Sequence, residues 1–488
     1  MFSSLNFQQF TQFAKSGHAV AVYKEIPGDK LTPVTAYQAL KNDQTTITLL
    51  ESSPKLKVPS RYSHLCFQPI AEIQTTNNQV MVIENQQQTI LDLNPFRVLR
   101  KYLANYKTIK THPLCGFVGG LVGFMSYEAI RLIENIPQSY DCDFPQLLFR
   151  IHKSNITFDH QTGKIVVSTR AVIGEDLVKS FELAMAELEH LCSKLFATKP
   201  TFTQPKIAME QAIIQDSIND SEFQKIVKQC QEYIAAGDVF QVVPSRKFFL
   251  PTTVSPFTIY RALRFTNPSP YMFYLETEKF VAAGASPEKL VSIKDGIIES
   301  CPLAGTRPRS SNSNDQELIQ ELLNDEKELA EHMMLVDLCR NDIGKVAKPN
   351  TVKVTKLKEV EFYPTVMHIS STIQGEKSAE KDVFDVLQAA FPAGTLTGAP
   401  KIRAMEIIDQ LEKTPRELYG GAICAIDSDG NLDSCIAIRT ALIKEGIVTI
   451  QAGAGVVFDS IPRSEADETR HKAKAILQGV LLAEGEIV

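Results

Sequence analysis

Glu328 and Glu331 in ELAEH, and Glu465 and Glu468 in EADETRHKA, each set two carboxylates three residues apart. On a helix that spacing puts both acids of a pair on one face. Taken singly, such a pair is an ordinary solvated helix face. Two of them facing each other would gather four negative charges in a small volume, an arrangement that suits a hard cation such as Mg²⁺. Three further stretches in the same half of the chain favour the second reading: CPLAGTRPR at 301–309, PAGTLTGAPK at 392–401 and QAGAGVV at 451–457.

Other residue types suggest ligand contacts without settling them. Gly453 and Gly455 stand in a strand-like context, where glycine marks either a close approach of backbone to a ligand or tight packing. Gly119, Gly120 and Gly123 carry the same ambiguity, and packing is favoured there. Arg439 lies in the apolar run CIAIRT and needs a partner, either a substrate carboxylate or an internal acid. PAGTLTGAPK leads into a helix with Pro400 in its first turn, a place where free N–H groups bind anions. His368 and Glu288 are candidates for proton transfer, although a lone His or a Glu after Ser-Pro is commonly structural. There is no G-x-x-x-x-G-K-[ST], no complete dinucleotide fingerprint and no thiol nucleophile elbow.

The elements that must hold these residues follow from periodicity. The chain has 488 residues, 44% of them apolar and 22% charged, with a net charge of −6. That is a globular balance with no basic footprint for nucleic acid. The run LCGFVGGLVGFM is too short to cross a bilayer. The N-terminus lacks a signal-peptide pattern, and nine scattered cysteines suggest neither disulfides nor zinc, so a reducing cytoplasm is expected. Short β-branched runs (TITLLE, MVIE, LLFRIHKSNITF, KIVVSTRAVI) read as strands, and GGAICAID, CIAIRTALI and GIVTIQAGAGVVF as three more in an antiparallel meander. Apolar residues at helical spacing run from Gln316 to Arg340. A polar stretch near 193–215 divides the chain into expected regions 1–200 and 216–488. The uneven runs of strands and helices indicate an α+β fold.

In this order, CPLAGTRPR, ELAEHMMLVDLCRNDIGKV, PAGTLTGAPK, CIAIRT, QAGAGVV and EADETRHKA resemble the chorismate-utilising enzymes from about residue 220 to the C-terminus. LLES at 49–52 together with NPSPYMFY at 267–274 resembles one branch, the large subunit of anthranilate synthase. The water-adding branches carry a lysine where this chain has Gln241, and an amide cannot act as a base. The aminodeoxychorismate branch carries a nucleophilic lysine where this chain has Ala304.

The resemblance implies a large body of two facing antiparallel sheets with helices outside, on which the N-terminal region carries a regulatory pocket. It implies amination of chorismate by ammonia, then pyruvate loss. Glu331 and Glu468 are expected as direct Mg²⁺ ligands, and Glu328 and Glu465 as ligands through water. Glu288 is the expected general acid and His368 the residue tied to pyruvate elimination. Tyr419, Arg439, Gly453, Gly455 and Lys472 would hold the enolpyruvyl carboxylate, and Thr306 and Thr395 would touch substrate. Glu51, Ser52, Pro270, Tyr271 and Met272 are expected to bind tryptophan as a feedback inhibitor. A separate glutamine amidotransferase subunit would supply the ammonia. Aminodeoxychorismate synthase and a non-catalytic tryptophan sensor are the alternatives.

Overall fold

A computed structural model describes residues 3–41, 46–53, 61–197, 214–309, 314–362 and 366–485. Among these residues, 21 strands form one connected hydrogen-bonded network. Two long strands explain that connection. Tyr62–Thr76 and Leu147–Asp159 pair along their whole length, with a register shift between Pro69 and Ala71 where Gln68 takes φ 55°. A bulge of this kind bends a strand and lets its two ends serve different sheets.

One end of the long pair continues through Leu121–Met125, Ala422–Ile426, Leu432–Ile436, Lys289–Lys294, Ile297–Ser300 and Val366–Glu376. The other end continues through Ile47–Glu51, Tyr271–Glu276, Val281–Ser286, Thr440–Lys444, Ile447–Gly453 and Ser245–Pro251. All these pairings are antiparallel, as expected for the α+β fold. They also cross the boundary near 193–215, so regions 1–200 and 216–488 share both sheets.

Side-chain alternation explains why the two sheets pack together. Phe273 and Leu275 project to one side of their strand and Met272 and Tyr274 to the other. The first side joins Phe124, Leu148, Phe280 and Ile423 in a core between the sheets. Phe124 and Phe280 meet edge-on at 5.9 Å between ring centroids, and Phe144 lies 4.8 Å from Phe280. Fully burying each such ring contributes on the order of 2–3 kcal/mol. Helices cover the outer faces, including Leu177–Ala197 and Pro462–Gly485 on one sheet and Glu326–Gly344 and Lys401–Leu411 on the other. Gly123 is a packing glycine, because a Cβ there would stand 2.0 Å from the Leu148 carbonyl oxygen.

Two expectations about local structure change. CIAIRTALI is not one strand of a meander: Leu432–Ile436 belongs to the first sheet and Thr440–Lys444 to the second. The chain passes between the sheets at Arg439, whose φ is 51°. The helical stretch from Gln316 is two helices, Asp315–Asn324 and Glu326–Gly344. Asp325 separates them because its carboxylate accepts from the N–H groups of Lys327 and Glu328, capping the second helix.

Candidate active site

The polypeptide crosses between sheets a second time at Pro287–Glu288, between Val281–Ser286 and Lys289–Lys294. The two crossings are hydrogen-bonded to each other. Ile436 N–H donates to the Glu288 carbonyl and Ala285 N–H to the Arg439 carbonyl, both at 3.0 Å. Glu288 and Arg439 are thereby brought to one region by backbone geometry, from positions far apart in sequence.

Glu288 is buried, and burial pushes its carboxyl up to about 8, with smaller opposing effects from Thr395, the Leu303 backbone and Lys472. Thr395 Oγ1 donates to Glu288 Oε1 at 3.2 Å. A carboxylic acid that keeps its proton at neutral pH has the property a general acid needs. His368 lies opposite Thr306 in adjacent strands, with 2.9 Å between Nδ1 and Thr306 Oγ1. Burial lowers its imidazole to about 4, helped by the positive charges of Arg439 and Lys472. It is therefore neutral at pH 7.

A third group surrounds the Gly453–Gly455 segment. Lys472 Nζ donates to the Gly453 carbonyl at 3.1 Å and pairs with Glu468 at 2.6 Å. A Cβ on Gly453 would stand 2.7 Å from the Tyr419 hydroxyl, and one on Gly455 would stand 2.8 Å from Gln241 Nε2. Close approach of the protein's own groups, the tight-packing reading of these glycines, thus applies here. Among the described residues no acid pairs with Arg439: its Nη1 donates to the Lys472 carbonyl, and burial lowers its pKa. These contacts join Tyr419, Arg439, Gly453 and Lys472 in one cationic, largely buried patch, suited to a carboxylate, while Gly455, two residues on, lies against Gln241.

The glutamate pairs sit on Glu326–Gly344 and Pro462–Gly485. All their donors are carboxylate oxygens, the set a hard divalent ion takes. Glu328 and Glu465 are each pushed above the usual carboxylate range, first by burial and also by the neighbouring glutamate of the pair. A cation would relieve both effects, so the chemistry of the donor set fits Mg²⁺. The four acids do not converge, however: among the described residues no three acidic, His or Cys side chains form a group able to hold a metal. Three of them are engaged by other groups. Glu328 accepts from Arg307 at 3.1 Å, Glu331 from Gln241 Nε2 at 2.8 Å, and Glu468 pairs with Lys472. Arg307 was not singled out from sequence, although it lies in the conspicuous motif CPLAGTRPR.

The two distant segments expected to form a regulatory site do meet. Glu51 pairs in register with Met272, and Ser53 N–H donates to the Ser269 carbonyl at 3.0 Å. Glu51, Ser52 and Met272 line a pocket of about 950 Å³ together with Leu31, Phe158 and Arg264. Pro270 and Tyr271 are not among its lining residues. Strand alternation turns Tyr271 to the opposite face, where its hydroxyl donates to Asp433 at 3.2 Å. Glu51 is already engaged, accepting from Tyr260 at 2.5 Å and from Arg264 Nη2 at 3.1 Å. Tyr260 and Arg264 lie one helical turn apart on Pro256–Thr266, a spacing legible in sequence, but their pairing with Glu51 is not.

Comparison with known proteins agrees with this architecture. A family model described as "chorismate binding enzyme" matches residues 45–478. Anthranilate synthase component 1 of Acetivibrio thermocellus is 38% identical over 97% of this chain and 97% of its own length. That of Bacillus subtilis (strain 168) is 37% identical over 98% of this chain and 95% of its own. The crystal structure of anthranilate synthase component I from Streptococcus pneumoniae TIGR4 superposes with a TM-score of 0.77 at 36% identity, covering 92% of this chain and 98% of that one. The menaquinone-specific isochorismate synthase of Escherichia coli, 19% identical over 97% of this chain and 98% of its own, shares the fold with a TM-score of 0.69. With matches of this extent to motifs that the fold draws together at one site, the chain belongs to the chorismate-binding enzyme family.

Proposed function

We propose that this chain is the chorismate-converting component of an anthranilate synthase, carrying out the first committed step of tryptophan biosynthesis. Chorismate and ammonia would give anthranilate, pyruvate and water. The observation that carries the choice of nucleophile is Gln241. It is buried, its Nε2 is committed to Glu331, and its Oε1 has no hydrogen-bond partner among the described residues. A neutral acceptor suits a nucleophile with N–H bonds and cannot generate hydroxide from water. Ala304, buried opposite Ile369, offers no amine for a covalent intermediate.

In the first step a C–N bond forms at ring carbon 2 while the C–O bond at carbon 4 breaks. Glu288 supplies the proton with which the hydroxyl leaves as water. In the second step the proton at carbon 2 is lost and the ether at carbon 3 breaks, releasing pyruvate and making the ring aromatic. Neutral His368, held by Thr306, is the acceptor for that proton. Tyr419, Arg439, Lys472 and the Gly453–Gly455 backbone would hold the enolpyruvyl carboxylate. Glu331 and Glu468 would hold Mg²⁺ directly, with Glu328 and Glu465 through water. The bound ion would neutralise the ring carboxylate as charge develops on it.

The pocket at Glu51, Ser52 and Met272 is the proposed site of feedback inhibition by tryptophan, with apolar walls for an indole and Arg264 and Glu51 for its charged groups. Ammonia would come from a separate glutamine amidotransferase subunit. The test is conversion of chorismate by the isolated chain with Mg²⁺ and either ammonium or glutamine. Anthranilate fluorescence should rise with ammonium only, and glutamine should work once the partner subunit is added. Equal rates with glutamine on the isolated chain would refute the division of labour.

A further inference from the structure

Arg416 and Glu412 form an ion pair with side chains only 1% and 5% exposed, in a stretch (EKTPREL) that no role above accounts for. Removing two charges from water is expensive, and a pair of this kind is retained only where its hydrogen bonds are well satisfied. Here they are, and the partners are informative. Arg416 Nη2 donates to Glu412 at 2.5 Å and to the Val243 carbonyl at 2.6 Å. Its Nη1 donates to the Leu396 carbonyl at 2.7 Å, and its Nε to Glu412 at 2.8 Å. The guanidinium also lies over the rings of Tyr127 and Tyr419, 4.7 and 5.5 Å from their centroids. Glu412 in turn accepts from the Ser245 N–H at 2.6 Å and from its hydroxyl at 2.9 Å.

Apart from the bonds within the pair and the contact to Tyr127, every one of these contacts reaches a segment that carries the candidate site. Val243 follows Gln241 by two residues, and Leu396 follows Thr395, the partner of Glu288. Tyr419 packs on Gly453, and Ser245 is the register partner of Gly453. One planar fork thus spans the nucleophile side, the acid side and the carboxylate side. A lysine in its place would keep the charge but has no fixed fork with which to serve two carbonyls and a carboxylate at once.

We propose that Arg416, held by Glu412, is a positioning residue that fixes the 241–245 segment, the Thr395–Leu396 turn and the Tyr419 ring relative to one another for chorismate binding. This rests on the reading of the site given above, but only on its binding chorismate, not on which product it forms.

The test is calorimetric titration of chorismate, with Mg²⁺ present, into wild type, Arg416→Lys and Arg150→Lys, alongside thermal unfolding of each. Arg150 is an equally buried control. It pairs with Glu72 at 2.6 Å and donates to the Glu276 carbonyl, and among the described residues it contacts none of the segments at the candidate active site. The expected result is at least tenfold weaker chorismate binding for Arg416→Lys and less than twofold for Arg150→Lys. Equal weakening in both variants, or unchanged affinity in Arg416→Lys, would overturn the proposal. Should Arg416→Lys fail to fold, Glu412→Gln is judged against the same control, with at least threefold weakening expected and no weakening overturning it. A wild type that binds chorismate but makes a product other than anthranilate would refute the proposed function and leave this comparison intact.

Discussion

Gln241 donates from Nε2 to Glu331 Oε1 at 2.8 Å, which ties the residue proposed to set the nucleophile to a carboxylate of the candidate metal pair. The bond orients the amide, because once Nε2 is committed, Oε1 must point away from Glu331. On the proposed function, this one side chain would link the choice of attacking group to an acid that would hold the ion.

Loss of a direct ligand should be far more damaging than loss of a water-mediated one. Glu331→Gln or Glu468→Gln is expected to lower kcat/KM for chorismate by more than about 100-fold, and Glu328→Gln by about 10-fold. Initial rates across a Mg²⁺ series check this. Near-normal rates for both direct-ligand variants at low Mg²⁺ would mean that the pairs are surface charges.

Glu288 makes a stability prediction whose sign is opposite to that of an ion-paired acid. Its folded carboxyl is raised to about 8, whereas the unfolded chain titrates near 4.5. Between those values the folded state binds the extra proton, so this group's contribution to stability falls as pH rises. Glu288→Gln should consequently gain stability over wild type progressively from about pH 4.5 to 8, by a few kcal/mol in all. Its turnover should be lost throughout. Denaturant melts of both proteins at several pH values test the trend, and a gap that shrinks with rising pH would contradict it.

His368→Ala separates the two chemical steps. Chorismate consumption should continue while pyruvate release falls by about tenfold or more, and an aminated, non-aromatic intermediate should accumulate on chromatography. Parallel loss of both would assign His368 to the first step instead.

The pocket near Ser52 predicts a reciprocal effect between inhibitor and substrate. Tryptophan should raise the apparent KM for chorismate. Ser52→Phe, which fills the pocket with an aromatic ring, should relieve that inhibition with basal activity largely kept. An enzyme indifferent to tryptophan, or a Ser52→Phe variant still fully inhibited, would exclude the site.

Much of this arrangement was legible in the sequence because its signals are local. Strand alternation and the glutamate spacing depend on neighbours a few residues apart. The site residues were found as motifs, and family resemblance supplied their roles. What could not be read were long-range relationships. CIAIRTALI looks like one strand because periodicity does not reveal that Arg439 turns the chain into another sheet. Tyr271 stands beside Met272 in the segment expected to bind tryptophan, but strand alternation puts only Met272 on the wall of the pocket at Ser52. Arg416 was passed over because a lone arginine after proline carries no signal until its carbonyl partners, from 20 to 173 residues away, are in place.

The central claim is the chemistry at ring carbon 2, and [¹⁵N]ammonium tests it most directly. With chorismate, Mg²⁺ and labelled ammonium, the isolated chain should form anthranilate with the label in its amino group, and pyruvate in equal amount. Labelled 4-amino-4-deoxychorismate without pyruvate, or unlabelled isochorismate, would contradict the account.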